Sequence, residues 1–245
     1  MSVWAIADLH LSFGNPKPMD RFGNRWTGHA EKLAARWRSV VRDGDTVVVP
    51  GDISWGGTLE EAEKDFAFLD ALPGRKLFGK GNHDFWWTSM KKMKQFFDAH
   101  GFTSLGFLYN NACAADGVVM AGTRGWFLEE RPAAVTDYAP DYARMVNREC
   151  ERLTLSLKAA EQLRLEQGIK EPPLVFLHFP PLYGEFSMDR LIGIMKSYGV
   201  ETCYAGHIHG QYLAPPYTDA MGLRIYNVAA DYLNFTPLPV VLTKQ

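Results

Sequence analysis

Short, uninterrupted apolar runs recur through the first half of the chain, each followed by a segment of helical periodicity. Residues 3–7, 46–49 and 76–78 are too short for buried helices and show no polar alternation, the pattern of strands covered on both faces. Between the first two runs, residues 27–42 place Leu33, Trp37, Val40 and Val41 on one stripe, with Thr27 as N-cap. Thr58-Leu59-Glu60-Glu61 is a capping box, opening a helix that presents Ala62, Phe66 and Leu69. A third helix over residues 88–100 stops at Gly101. Strand alternating with helix is the α/β pattern, and residues 12–27, rich in Gly, Pro and Asn, read as a loop.

Beyond residue 101 the pattern changes. Residues 112–121 read as a hairpin around Asp116-Gly117, leading to Gly122-Thr123-Arg124-Gly125-Trp126. A helical insertion at about residues 127–170 centres on a long helix over 141–167. Strands over 174–177 and 202–205 flank a helix at 186–198, and 223–229 and 239–243 read as the last two strands. With no repeat, linker or low-complexity tract, the 245 residues read as one domain.

Twenty-six Lys and Arg against 28 Asp and Glu give a net charge of −2, so no global basic field recruits nucleic acid. The N-terminus lacks a basic, apolar leader, and no run approaches the roughly 20 apolar residues of a membrane span. Cys113, Cys150 and Cys203 are widely spaced and form no CxxC, consistent with free thiols in a reducing compartment. The expectation is a cytoplasmic protein without a membrane anchor.

The residues that close the strands carry the chemistry. Asp8 and His10 follow the first, Asp52 the second, and Asn82, His83 and Asp84 the third. His178 follows the strand at 174–177, and His207 and His209 the one at 202–205, so five of seven histidines stand at strand ends. Any one of them alone would read as a core or loop histidine. Together, with Asp8 and Asp52, they read as a metal site at the carboxyl edge of the sheet, where open α/β folds bind ligands. Imidazole mixed with carboxylate suits Mn, Fe, Zn, Co or Ni. The supply of donors exceeds one tetrahedral site and fits two divalent ions about 3.5–4 Å apart, the arrangement used for in-line phosphoryl displacement.

Taken in order, Asp8-Leu9-His10, Gly51-Asp52, Gly81-Asn82-His83-Asp84, His178 and Gly206-His207-Ile208-His209 resemble the five blocks of the calcineurin-like metallophosphoesterase superfamily. The resemblance implies a four-layer α/β/β/α sandwich with two metal ions at its edge. It assigns Asp8, His10, Asp52 and His209 to one ion and Asp52, Asn82, His178 and His207 to the other, with Asp52 bridging. His83 becomes a near-substrate histidine acting as general acid, oriented by Asp84. The implied reaction is hydrolysis of a phosphomonoester or phosphodiester by metal-activated hydroxide, on a small phosphorylated substrate.

Two departures qualify the match. Many family members place a second acid where Gly51-Asp52-Ile53-Ser54-Trp55 has Trp55, and the protein Ser/Thr phosphatases carry Arg-Gly and a Glu that are absent here. A protein phosphatase is therefore disfavoured. Arg124 is a candidate for bidentate phosphate contact, with a structural salt bridge as the alternative. Arg21, Arg25, Trp26, Trp55, Trp86 and Trp87 could form a basic, aromatic rim, with core packing as the alternative for the tryptophans. A nuclease would need a basic groove that the charge does not supply. A noncatalytic scaffold on this fold would be expected to have lost His83, which this chain keeps.

Overall fold

Within each central strand, neighbouring side chains serve different cores. Val47, Val49 and Phe78 pack under helices, whereas Val48 and Leu77, one residue away, face a second sheet. Val175, Leu177, Cys203 and Ala205 lie under another pair of helices, while Phe176 and Tyr204 point back to the first sheet. Period-two alternation with both faces buried makes these runs continuously apolar, as strands between two layers must be.

The computed structural model describes residues 2–126 and 135–240, with side chains of 135–141 left aside. The first sheet holds β1 (Val3–Ala5), β2 (Thr46–Pro50), β3 (Arg75–Gly79) and β4 (Leu105–Phe107), all parallel. Helices α1 (His29–Val40), α2 (Leu59–Asp70) and α3 (Met90–His100) cover it through Leu33, Trp37, Phe66, Leu69, Met93 and Phe97. The second sheet is built from β5 (Asn111–Ala115), β6 (Val118–Thr123), β7 (Leu174–Leu177), β10 (Thr202–Ala205), β11 (Tyr217–Ala220) and β12 (Leu223–Asn227). Its strands β6, β7, β10 and β12 are mutually parallel, with β5 and β11 antiparallel at the edges. A small hairpin of β8 (Leu182–Tyr183) and β9 (Phe186–Ser187) lies outside it, and β13 (Leu238–Pro239) pairs antiparallel with β1. Helices α4 (Val135–Gln167) and α5 (Asp189–Ser197) cover the outer face of the second sheet. Three separate apolar cores thus divide four layers, the α/β/β/α order expected.

Several boundaries differ from the sequence reading. Helix α1 starts after Gly28, whose left-handed φ of 59° turns the chain into it, not at Thr27. Residues 19–22 and 24–26 form 3₁₀ turns inside the expected loop. Strands β4 and β11 escaped notice because each is short and neither is continuously apolar. Helix α5 begins at Asp189, since the preceding residues form the β8–β9 hairpin. The long helix is the crossover joining parallel β6 to β7, with Leu153, Leu157 and Ala160 wholly buried against the sheet. It covers the sheet; residues 127–134 of the expected helical insertion, and 241–243 of the last expected strand, lie outside the described residues. Of the capping box at α2 the Thr58 half is formed, Thr58 Oγ1 accepting from Glu61 N at 3.2 Å, a cap worth about 1 kcal/mol, while the Glu61 carboxylate accepts from Gly57 N at 2.7 Å.

Candidate metal centre

The motif residues lie where the strands of the two facing sheets end. Beyond β1 the chain leaves its own sheet and bonds to the other, Ala7 N donating to Val228 O at 2.7 Å and Ala230 N to Ala7 O at 2.9 Å. The loops after β1 and β2 run side by side, Asp8 N donating to Gly51 O at 2.9 Å and His10 N to Asp52 O at 3.0 Å. Asp8, His10, Asp52 and His207 all hold left-handed backbone, with φ of 59°, 47°, 53° and 70°. Such conformations are costly for residues with a Cβ and persist where surrounding structure imposes them. Gly51, at φ 99°, has no room for a side chain: a Cβ there would meet Gly81 Cα at 2.7 Å and His178 Nδ1 at 2.8 Å. A Cβ on Gly81 would run into Asp52.

These loops bring buried donors together. Asp52 Oδ2 lies 3.7 Å from His10 Nε2 and 3.6 Å from His178 Nε2, so one carboxylate oxygen faces histidines from both sheets. Asp8 Oδ1 is 3.7 Å from His209 Nε2 and 3.8 Å from His178 Nδ1. The Nε2 atoms of His10 and His209 approach to 3.2 Å, and Asn82 Oδ1 lies 2.6 Å from His178 Nε2. The ring of His207 is 5.1 Å from that of His178, and its backbone N–H donates to both oxygens of Asp8, at 3.1 and 2.9 Å. Six of the seven expected ligands are thus linked through short donor-to-donor distances, and His207 joins them through its neighbours.

The tautomers point the same way. His178 Nδ1–H donates to the Pro50 carbonyl at 3.2 Å, and His209 Nδ1–H to Asp231 Oδ1 at 2.9 Å. Each bond fixes the proton on Nδ1 and leaves the Nε2 lone pair facing the cluster. Lone pairs this close repel unless a proton or cation lies among them. Burial drives Asp8 up to about 7 and holds Asp52 well above the carboxylate range, with Asp8 adding to the latter. Burial also holds His10 and His178 well below the imidazole range. His209 differs: burial pulls it down, but the Asp231 hydrogen bond and the Asp8 charge outweigh it and leave it raised. A buried set that resists both its own negative and positive charges fits divalent cations, which satisfy carboxylate and imidazole at once.

Asp231 was missed by sequence reading. It is wholly buried just beyond β12, accepts from His209 Nδ1 and from Gly210 N at 3.0 Å, and so orients the His209 ring. The signal was an acid closing the apolar Val228-Ala229-Ala230 run, the same sign that marked Asp8 and Asp52.

The Asp84 carboxylate accepts from the backbone N–H groups of Asp52, Ile53, Ser54 and Gly81 and from Trp86 Nε1, at 2.7–3.4 Å. With these donors it anchors the Asp52 loop, a role that the sequence reading did not give it. The backbone N–H of His83 donates to Asp52 Oδ1 at 2.8 Å. The His83 ring stands 4.4 Å from the Trp55 ring and 5.5 Å from that of His10. Trp55, at the place of the family's second acid, stacks on His10 at 5.0 Å and 25° and so packs between a ligand and His83.

Above the cluster opens a cleft of about 430 Å³ lined by His10, Met19, Phe22, Trp26, Asp52, Trp55, Asn82, His83, His207, His209, Gly210, Tyr212 and Asp231. Trp26 and Trp55 belong to it, whereas Trp86 packs edge-on against Phe66 and Trp87 against Phe107, both on the α side of the first sheet. None of the three arginines expected at the substrate is among the described lining residues. Arg21 is exposed on a 3₁₀ turn, and Arg25 donates to the Asp231 carbonyl at 2.9 Å. Arg124 lies half-buried with its guanidinium 5.0 Å from the Phe179 ring; its charge lowers Asp52, by less than burial, Asp8 and Asp84 raise it. Among the described residues no helix is long and apolar enough to cross a membrane.

The gene 66 protein of Mycobacterium phage L5 is 34% identical over 83 residues, which cover 34% of this chain and 40% of that protein. The gene 66 protein of Mycobacterium phage D29 is 38% identical over 85 residues, again 34% of this chain and 40% of its own length. The chain therefore matches less than half of either relative. Among solved structures, the phosphopantetheinyl hydrolase PptH from Mycobacterium tuberculosis superposes with a TM-score of 0.52 at 15% identity, over 98% of this chain and 95% of that one, a likeness of fold. The model of the calcineurin-like phosphoesterase family matches residues 1–211, every motif block included. By that match and the geometry above, the chain belongs to the calcineurin-like phosphoesterase family.

Proposed function

We propose that the protein is a dinuclear-metal phosphohydrolase acting on a small phosphoester, with His83 as general acid. Membership of the family implies metal-dependent phosphoester hydrolysis. The observation that carries the finer reading is the single Asp52 oxygen placed 3.7 Å from His10 and 3.6 Å from His178, which suits a carboxylate shared by two ions. Asp8, His10, Asp52 and His209 would hold one ion, and Asp52, Asn82, His178 and His207 the other. Divalent ions bound there would neutralise phosphoryl charge and lower the pKa of water. The chain's own part is to hold the phosphoryl group at the cleft floor and to deliver a proton to the leaving oxygen. His83 lines that floor beside the ligands without belonging to either donor group. Its neighbours Trp55 and His10 keep the ring at the cleft, where a protonated imidazole reaches the leaving oxygen.

The test is metal analysis of the purified protein, followed by hydrolysis of a phosphomonoester and a phosphodiester in Mn²⁺ with wild type and His83→Ala. The variant is expected to keep its metal and lose about 10²-fold or more in kcat. Failure to bind any divalent metal, or to hydrolyse any phosphoester when loaded, would overturn the proposal. Loss of metal from His83→Ala would overturn the role given to that residue.

A further inference from the structure

The walls of the cleft differ from its floor. The floor presents Asp52, Asn82, His83, His207 and His209, while Met19, Phe22, Trp26, Trp55 and Tyr212 form the sides, with no lysine or arginine among the described lining residues. The nearest rim cations are turned onto aromatic faces: Lys17 Nζ lies 3.4 Å from the Trp55 ring centre and the Arg25 guanidinium 3.8 Å from that of Tyr212. A second phosphate would have to draw Lys17 or Arg25 off these rings for counter-charge, and the apolar sides offer few groups to a sugar. Two of the wall rings are already engaged. Trp55 carries His10 and Lys17, and Trp26 meets His10, His29, His209 and Phe235 edge-on, at 5.3–5.7 Å. Of the other wall rings, Phe22 is 63% exposed, and Tyr212, with the Arg25 guanidinium over its ring, is 37% exposed. Tyr212 is held by the Arg25 guanidinium, which is itself bonded to the Asp231 carbonyl, so the ring is braced from the metal centre outward. Exposed apolar surface at the mouth of a polar-floored cleft marks a place for an apolar ligand group.

We infer that Phe22 and Tyr212 are specificity-determining residues that hold a planar apolar ring in the leaving group of a singly phosphorylated substrate, an inference that rests on the phosphohydrolase reading of the same site. Stacking between two rings favours a flat group over an alkyl chain of equal size.

The test compares 2-phenylethyl, n-octyl and ethyl phosphates, and their methyl diesters, on the metal-loaded protein. All three leave as similar alkoxides, so differences in kcat/KM report binding of the remote group rather than leaving-group reactivity. The phenylethyl ester is expected to exceed the ethyl ester by about tenfold or more, and the octyl ester by a smaller margin. In Phe22→Ala and Tyr212→Ala the phenylethyl-to-ethyl ratio should fall toward one, and Tyr212→Phe should restore it. Calorimetric binding of 2-phenylethylphosphonate against ethylphosphonate reads the same preference without turnover. Hydrolysis of neither ester alongside a ring preference in phosphonate binding would sink the phosphohydrolase reading but keep the clamp. Equal affinity for the two phosphonates, a ratio unmoved by the variants, or an octyl ester as good as the phenylethyl ester would overturn it.

Discussion

Removing the Asp231 carboxylate should weaken one metal position and spare the other. Asp231→Ala deletes two hydrogen bonds, from His209 Nδ1 at 2.9 Å and from Gly210 N at 3.0 Å, while the Arg25 bond to the main-chain carbonyl stays. The bond from His209 is charge-assisted, and such a bond contributes about 1.5–3 kcal/mol. At about 1.4 kcal/mol per tenfold, that is roughly a tenfold to hundredfold loss of affinity, the range seen when partners behind a metal ligand are lost. The loss falls on the position proposed for Asp8, His10, Asp52 and His209, because the Asp231 carboxylate bonds to the His209 ring of that set. One effect opposes it. Without Asp231 the His209 ring loses the bond that raises its pKa and competes less for protons, so the deficit should be larger at about pH 8 than at about pH 6. Metal-free protein titrated with Mn²⁺ by calorimetry should resolve two sites, of which only one weakens. Asp231→Asn, which keeps an acceptor for Nδ1–H, should fall between wild type and Asp231→Ala. Equal weakening of both sites, or of neither, would refute the reasoning.

Metal affinity itself should rise with pH through about 7, because burial raises Asp8 to about 7 and a bound ion requires it ionised; calorimetry in buffers of differing ionisation heat should show more protons released at about pH 6 than at about pH 8, and pH-independent release would contradict this. Asp84→Asn turns an amide NH₂ toward N–H donors and should cost about 2–4 kcal/mol in denaturant unfolding together with metal occupancy, whereas a change within about 0.5 kcal/mol would show the anchor to be dispensable. Lys76 is wholly buried, with its Nζ donating to Ser104 Oγ at 3.0 Å and to the Leu72 carbonyl, and burial lowers it from 10.5 to about 8, against opposing pulls from Asp70 and Asp43. Since the unfolded chain holds that proton to higher pH, stability should climb from about pH 8 to about pH 10, and Lys76→Met should flatten the climb; a flat wild-type profile would contradict the assignment.

The clustering of these residues was legible because each is a polar residue placed where a buried strand runs out, and parallel strands deliver such ends to one edge. Asp8, Asp52 and His178 needed only that rule. The hold of Asp84 on the Asp52 loop was not legible, because its carboxylate folds back onto a loop 32 residues away. Asp231 was hidden by distance, 22 positions beyond the histidine it orients. The role of Trp55 could not come from a motif in which its place belongs to an acid. Strands β4 and β11 were lost because edge strands bury one face at most and lack the continuous apolar run that marked the others.

The division of ligands between the sheets bears on how the chain folds. Asp8, His10, Asp52 and Asn82 follow strands of the first sheet, and His178, His207 and His209 follow strands of the second. Neither sheet with its helices carries a complete position for an ion. The centre therefore comes into being only when the middle core, with Val48 and Leu77 on one side and Phe176 and Tyr204 on the other, has closed. Metal ions that select this closed state stabilise it by mass action, fastening the two halves at the edge where the backbone of Ala7 already crosses from one sheet to the other. Metal availability would then set the fraction of the protein in which the two halves stay docked.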